Sequence, residues 1–149
     1  MDQDVLFMRG YLQSMGHNFD YPGAWQGATD DLKAVIRAKP DHIDAITTLG
    51  RLWVNSNPSL APEAEKLFRD AQCRNGDKPV EDAQRGLFFA FYYQGKVREA
   101  LYLSEYLQQT WPHNELYRRF NAMVRAVLLR TENYQAPPPG KVNMTTRDK

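Results

Sequence analysis

Along residues 95–112, "GKVREALYLSEYLQQTWP", small and large apolar side chains return at helical intervals between an opening Gly and a closing Trp-Pro. The same construction occurs twice earlier in the chain. Ala28 is followed by Leu32, Val35 and Pro40, Ala64 by Phe68, Ala71 and Gly76, and Ala100 by Ser104, Leu107 and Pro112. Offsets of four and seven put each set on one helix face, and the Pro or Gly marks where that helix stops. The three alanines are 36 residues apart. A stride of that length predicts helical units that stack on one another to cover their apolar faces.

The intervening segments are predicted helical too. In "DHIDAITTLGRLWVNS", Asp41 is a candidate N-cap after Pro40, and Ile43, Ile46, Leu49 and Trp53 form an apolar stripe. In "PVEDAQRGLFFAFYYQ", Pro79 suits a first helical turn, with Val80, Leu87, Phe88 and Phe91 inward. Leu49 and Leu87 are 38 residues apart, because the turn in "SNPSLAPEAE" is longer by two than that in "YYQGKVREA". A less regular first helix is expected over residues 2 to 15, before the loop "GHNFDYPGAW". After Pro112, Leu116, Tyr117, Phe120, Met123, Val124, Val127 and Leu128 make one broad stripe, with Arg118, Arg119, Arg125 and Arg130 off it. This last helix either caps the open end of the stack or docks another chain. The tail over 132–149 has no periodicity, and its Pro137–Pro139 run favours an extended left-handed conformation. The expected organisation is one all-α domain over 1–131, of about seven helices, followed by an extended tail over 132–149.

These residues resemble the tetratricopeptide repeat (TPR), whose hairpins of about 34 residues carry Leu-Gly in the first helix, Ala, aromatic and Ala in the second, and a closing Pro. Leu49, Gly50, Trp53, Ala64, Phe68 and Ala71 match that pattern in the second unit. The third matches through Leu87, Gly95, Ala100, Leu107 and Pro112, but has Phe88 where a small residue is usual and Ser104 where an aromatic is usual. The first matches in its second half, through Trp25, Ala28, Leu32, Val35 and Pro40. The resemblance covers about residues 5 to 130. It implies a right-handed α-solenoid of three TPR-like hairpins with a C-terminal capping helix. It also implies that the chain binds proteins through a concave surface made by the first helices.

Composition adds exclusions rather than a partner. Net charge is +1, which favours neither nucleic acid nor an anionic membrane, and no apolar run approaches the roughly 18 residues that span a bilayer. The start, "MDQDVLFMRG", is acidic where a signal peptide is basic, so a cytoplasmic chain is expected, or a periplasmic one if a leader has been removed. Cys73, the single cysteine, has no partner for a disulfide within the chain and reads as a small apolar residue near a helix end. His17, His42 and His113 are scattered, and "MRGYLQSMG" lacks the strand and Lys-Ser/Thr of a phosphate loop. No catalytic residue, metal or cofactor is expected.

The expected groove consists of Asp44, Thr47, Arg51 and Asn55, then Asp82, Arg85, Phe89, Tyr92 and Tyr93, extended by Arg118 and Arg125. "FFAFYYQ" holds more aromatics than one buried stripe can take, and aromatic groups with Arg are what interfaces favour. Thr47, Thr48, Arg51, Gly86 and Phe89 stand where the Asn and Lys of a carboxylate-gripping TPR co-chaperone would be needed, which argues against that activity. The expected function is a non-catalytic scaffold or adaptor subunit that holds a peptide or helix. The alternative is a small chaperone of the bacterial secretion type, although those are more acidic. Self-association is left open.

Overall fold

The structure, a computed structural model, describes residues 23–131. The expected helix over residues 2 to 15 and the tail over 132–149 lie outside the described residues. Among the described residues all regular structure is helical: α1 Ala24–Ala38, α2 Ile43–Ser56, α3 Ala61–Arg74, α4 Glu81–Tyr93, α5 Val97–Thr110 and α6 Leu116–Arg130. A single 3₁₀ turn, Pro58–Leu60, precedes α3 and accounts for its longer connection. Each helix packs on the one before it and the one after it, and α2 also meets α4. None of these helices is long and apolar enough to cross a membrane.

Helix ends follow the sequence closely, with two shifts. α1 and α5 stop two residues before Pro40 and Pro112, and Gly76 and Gly95 turn the chain at φ +64° and +76°, where a side chain is strained. The cap of α2 is His42 rather than Asp41: its Nδ1 accepts from the Ala45 amide at 3.1 Å. Pro79 stays outside α4, which begins at Glu81. The side chain of Gln72 organises that entry instead, accepting from the Val80 amide at 2.8 Å and donating to the Gly76 and Lys78 carbonyls. Cys73 is exposed on α3, because it lies off the Ala64–Phe68–Ala71 face that the helix buries.

The core has Phe68 at its centre. The ring is buried and lies against two glycines of neighbouring helices, Gly50 of α2 and Gly86 of α4. A Cβ on Gly50 would stand 2.8 Å from the ring, and one on Gly86 would press on it more closely still. Glycine inside a helix costs about 0.5–1 kcal/mol relative to alanine, and here the space it leaves admits a side chain whose removal costs about 3–5 kcal/mol. The third unit reverses the arrangement. Ser104 is buried, donates to the Leu101 carbonyl at 2.7 Å and accepts from Asn121 at 2.9 Å. The aromatic ring comes from Phe88 on α4, stacked on Phe120 of α6 with centroids 4.5 Å apart.

One contact recurs along the chain in different chemistry. Lys33 Nζ lies 5.3 Å from the centre of the Trp53 ring, and the Arg69 guanidinium lies 5.4 Å from that of Phe91. In the next unit Glu105 takes the place of the cation and accepts from Arg125 at 2.8 Å. Positions 33, 69 and 105 are 36 residues apart, so Trp53, Phe91 and Arg125 are equivalent positions on α2, α4 and α6.

Glu65 closes the junction of α3 with the turn between α4 and α5. Its carboxylate accepts from Arg69 at 2.7 Å, Gln94 at 2.8 Å and Lys96 at 3.2 Å. Burial pulls its pKa up, but the hydrogen bonds from Gln94, Arg69 and Lys96 and the charge of Arg69 outweigh it and hold the pKa below the ordinary value.

Two predictions follow from this core. Gly86→Ala should cost about 1–3 kcal/mol in urea unfolding, and clearly less in a Phe68→Leu background; equal costs in both would mean that ring and glycine do not meet. Because the folded pKa of Glu65 is depressed, its stabilisation is complete above the unfolded value of 4.5 and is lost as pH falls through the folded one. Urea midpoints measured from pH 7 down to about 3 should therefore fall more steeply for the wild type than for Glu65→Gln.

Candidate interaction surface

Equivalence of Trp53, Phe91 and Arg125 fixes which residues of α2, α4 and α6 share a face. Nine residues before each stand Asp44, Asp82 and Leu116, and six before stand Thr47, Arg85 and Arg119. Two before come Arg51, Phe89 and Met123, and two after come Asn55, Tyr93 and Val127. Between α2 and α4, Thr47, Arg51, Asn55, Asp82, Arg85 and Phe89 line a cleft of about 60 Å³ whose floor is Val54, Phe68 and Gly86. The missing side chains of the two glycines thus leave room both for the Phe68 ring and for a hollow above it.

Six of the eleven residues expected to form the groove gather here, and the other five lie outside the cleft. Asp44 is exposed in the first turn of α2, outside the cleft lining. Tyr92 is half-buried with its ring stacked on Phe88, while Tyr93 is exposed and continues the aromatic row from Phe89 at 6.3 Å. Arg118 and Arg125 do not extend the surface. Arg125 is drawn between α5 and α6, where it donates to Asn121 at 2.9 Å and to Glu105, and Arg118 shares its flank two helical turns earlier.

The surface continues on α6 through residues of the broad apolar stripe predicted there. That stripe divides. Tyr117, Phe120, Val124 and Leu128 are buried together with Asn121, whereas Leu116 and Met123 are 45% and 37% exposed. Residues 116, 123 and 127 form their own row, with a seven-residue and then a four-residue step, and the equivalence of Arg125 with Trp53 and Phe91 matches it to the rows of α2 and α4. Of the four exposed large apolar side chains among the described residues, Tyr93, Leu116 and Met123 lie on this one face; only Leu129 lies elsewhere. Leu116 and Arg119 also border a broad open hollow of about 640 Å³ with Glu81, Trp111 and His113.

A polar cluster holds the α4 and α6 parts of the surface together. The Tyr117 hydroxyl donates to Glu81 and accepts from Arg85 at 3.0 Å, Arg85 also binds Asp82, and Asn114 donates to Glu81 at 3.3 Å. Arg85 is therefore a braced wall of the cleft rather than a swinging arm. Burial first, and then the bond to Glu81, pushes the Tyr117 phenol up to about 12. Among the described residues no three His, Cys, Asp or Glu side chains converge to hold a metal ion.

The raised tyrosine pKa is measurable. Absorbance titration at alkaline pH should show a tyrosine step near 12, and Tyr117→Phe should remove that late step. Its stabilisation is present below the unfolded value of 10.0 and disappears as pH rises through the folded one. An unchanged late step in the variant would assign it to another residue.

No protein-family model matches the chain, and comparison with curated proteins finds no similar sequence.

Proposed function

We propose that this chain is a non-catalytic protein-binding module, built as a right-handed α-solenoid of tetratricopeptide-like hairpins, and that it serves as a scaffold or adaptor subunit. On this reading α1 is the second helix of the first unit, α2 with α3 and α4 with α5 form the second and third hairpins, and α6 caps the array. The partner, a peptide or helix, lies across α2, α4 and α6.

The observation that carries the proposal is that the cleft over Phe68, the Phe89–Tyr93 ring pair, and the exposed Met123 and Leu116 occupy equivalent positions on α2, α4 and α6. Exposed large apolar side chains gathered on one face of a small domain mark contact surfaces, and interface cores favour aromatics, Met and Arg. This face runs from polar at α2, with Thr47, Arg51 and Asn55, to apolar at α6, so a partner that is amphipathic along its length complements it.

Size-exclusion chromatography of the chain purified from its source, with mass spectrometry of what travels alongside, should reveal a partner at fixed stoichiometry. Tyr93→Glu with Met123→Glu, both at exposed sites, should reduce its retention at least about tenfold while leaving the far-ultraviolet circular dichroism unchanged, as expected when central contact residues are charged. Undiminished retention by the folded variant would exclude this face. A client released on folding, in place of a fixed complex, would point to the chaperone reading.

A further inference from the structure

The opposite side of α2 carries a second feature. Ile36, Leu49, Trp53 and Leu67, with Lys33 and Arg37 at the rim, line an open slot of about 270 Å³ between α1 and α3. Leu49 and Trp53 project about half a helical turn away from Thr47, Arg51 and Asn55, so the slot and the cleft over Phe68 face opposite directions.

The chain contains the same slot twice, and the two copies differ. Arg69, Leu87, Phe91 and Leu103 are the counterparts of Lys33, Leu49, Trp53 and Leu67 in the next unit. There Leu87, Phe91 and Leu103 are all buried, and Glu65 gathers Arg69, Gln94 and Lys96 beside the Phe91 ring. In the first copy the counterpart of Glu65 is Thr29, whose hydroxyl is occupied in accepting from Trp53 Nε1 at 3.3 Å. Leu67, Trp53 and Ile36 remain half-buried. Lys33 and Arg37 are exposed, and no carboxylate among the described residues pairs with either.

Among the described residues, an acid that would close the slot from within is thus present in the second copy and absent from the first. We propose that the first slot is a separate binding site for a partner's peptide segment in which one or two large apolar side chains are flanked by carboxylates. The apolar side chains enter between Ile36 and Leu67 over the Trp53 ring, and the carboxylates pair with Lys33 and Arg37, supplying from outside the charge that Glu65 supplies in the second copy. Its shallow, open form and its volume, just below the roughly 300 Å³ at which small-molecule pockets begin, suit side chains presented by a peptide. Trp and Arg are among the side chains enriched at interface hot spots.

The experiment is a nitrogen-15 NMR titration of the full chain at millimolar peptide. Three end-blocked hexapeptides serve as probes: Leu-Phe between pairs of glutamates, Leu-Phe between pairs of lysines, and Gly-Gly between pairs of glutamates. The first should shift the Trp53 indole N–H and the amides of Ile36 and Leu67, and the other two should leave them in place. Lys33→Glu with Arg37→Glu should weaken the glutamate peptide at least about tenfold and create a response to the lysine peptide, the mark of charge complementarity. The proposal is overturned if the Trp53 signal does not move, if the glutamate and lysine peptides act alike on the wild type, or if the shifts centre on Phe89 and Met123.

Discussion

The Phe68 ring, lodged between a glycine of α2 and a glycine of α4, sets the geometry on which the rest of the chain depends. A bulky ring on one helix and the absence of a side chain on two others are a single constraint seen from three sides. It lets three helices approach closely at one point and fixes their rotation, because only the glycine faces of α2 and α4 can meet the ring. The same missing side chains leave the hollow whose floor is Phe68 and whose walls are Arg51, Arg85 and Phe89. Packing and the candidate surface are therefore not separate features.

Around that point the chain repeats its positions without repeating its chemistry. Lys33 over Trp53, Arg69 over Phe91 and Glu105 with Arg125 occupy one position in successive units as two cation–aromatic contacts and one ion pair. The aromatic ring comes from the later helix in one unit, as Phe68, and from the earlier helix in the next, as Phe88. What recurs is the distance to be bridged and the volume to be filled. Where a position lies under a neighbouring helix, complementary swaps keep it closed. On the outward faces no such demand operates, and the row of Arg51, Phe89 and Met123 drifts from charged to apolar from α2 to α6.

That freedom gives α2 two different sides. One carries the cleft and opens onto the aromatic strip of α4 and α6, the proposed docking surface. The other carries the slot at Trp53, which in the next unit is closed by the carboxylate of Glu65. An exchange at equivalent positions, Thr29 for Glu65, marks the difference: a hydroxyl satisfies one indole N–H, whereas a carboxylate gathers several donors around itself.

The sequence by itself determined the helices, their approximate ends and the stride of the repeat. These follow from the spacing of Ala, large apolar and terminating residues, all of it local along the chain. It also brought Thr47, Arg51, Asn55, Asp82, Arg85 and Phe89 into one group, since helical periodicity together with the 38-residue offset from Leu49 to Leu87 specifies a face. Only the tertiary structure decided that Gly86, not Phe88, meets the Phe68 ring, that Arg125 turns inward to Glu105, and that Leu116 and Met123 face outward although they lie beside a buried stripe. These outcomes depend on which helix lies on each side of a residue. Hydrophobic periodicity tells a wet face from a dry one, but it carries no record of which neighbour makes a face dry.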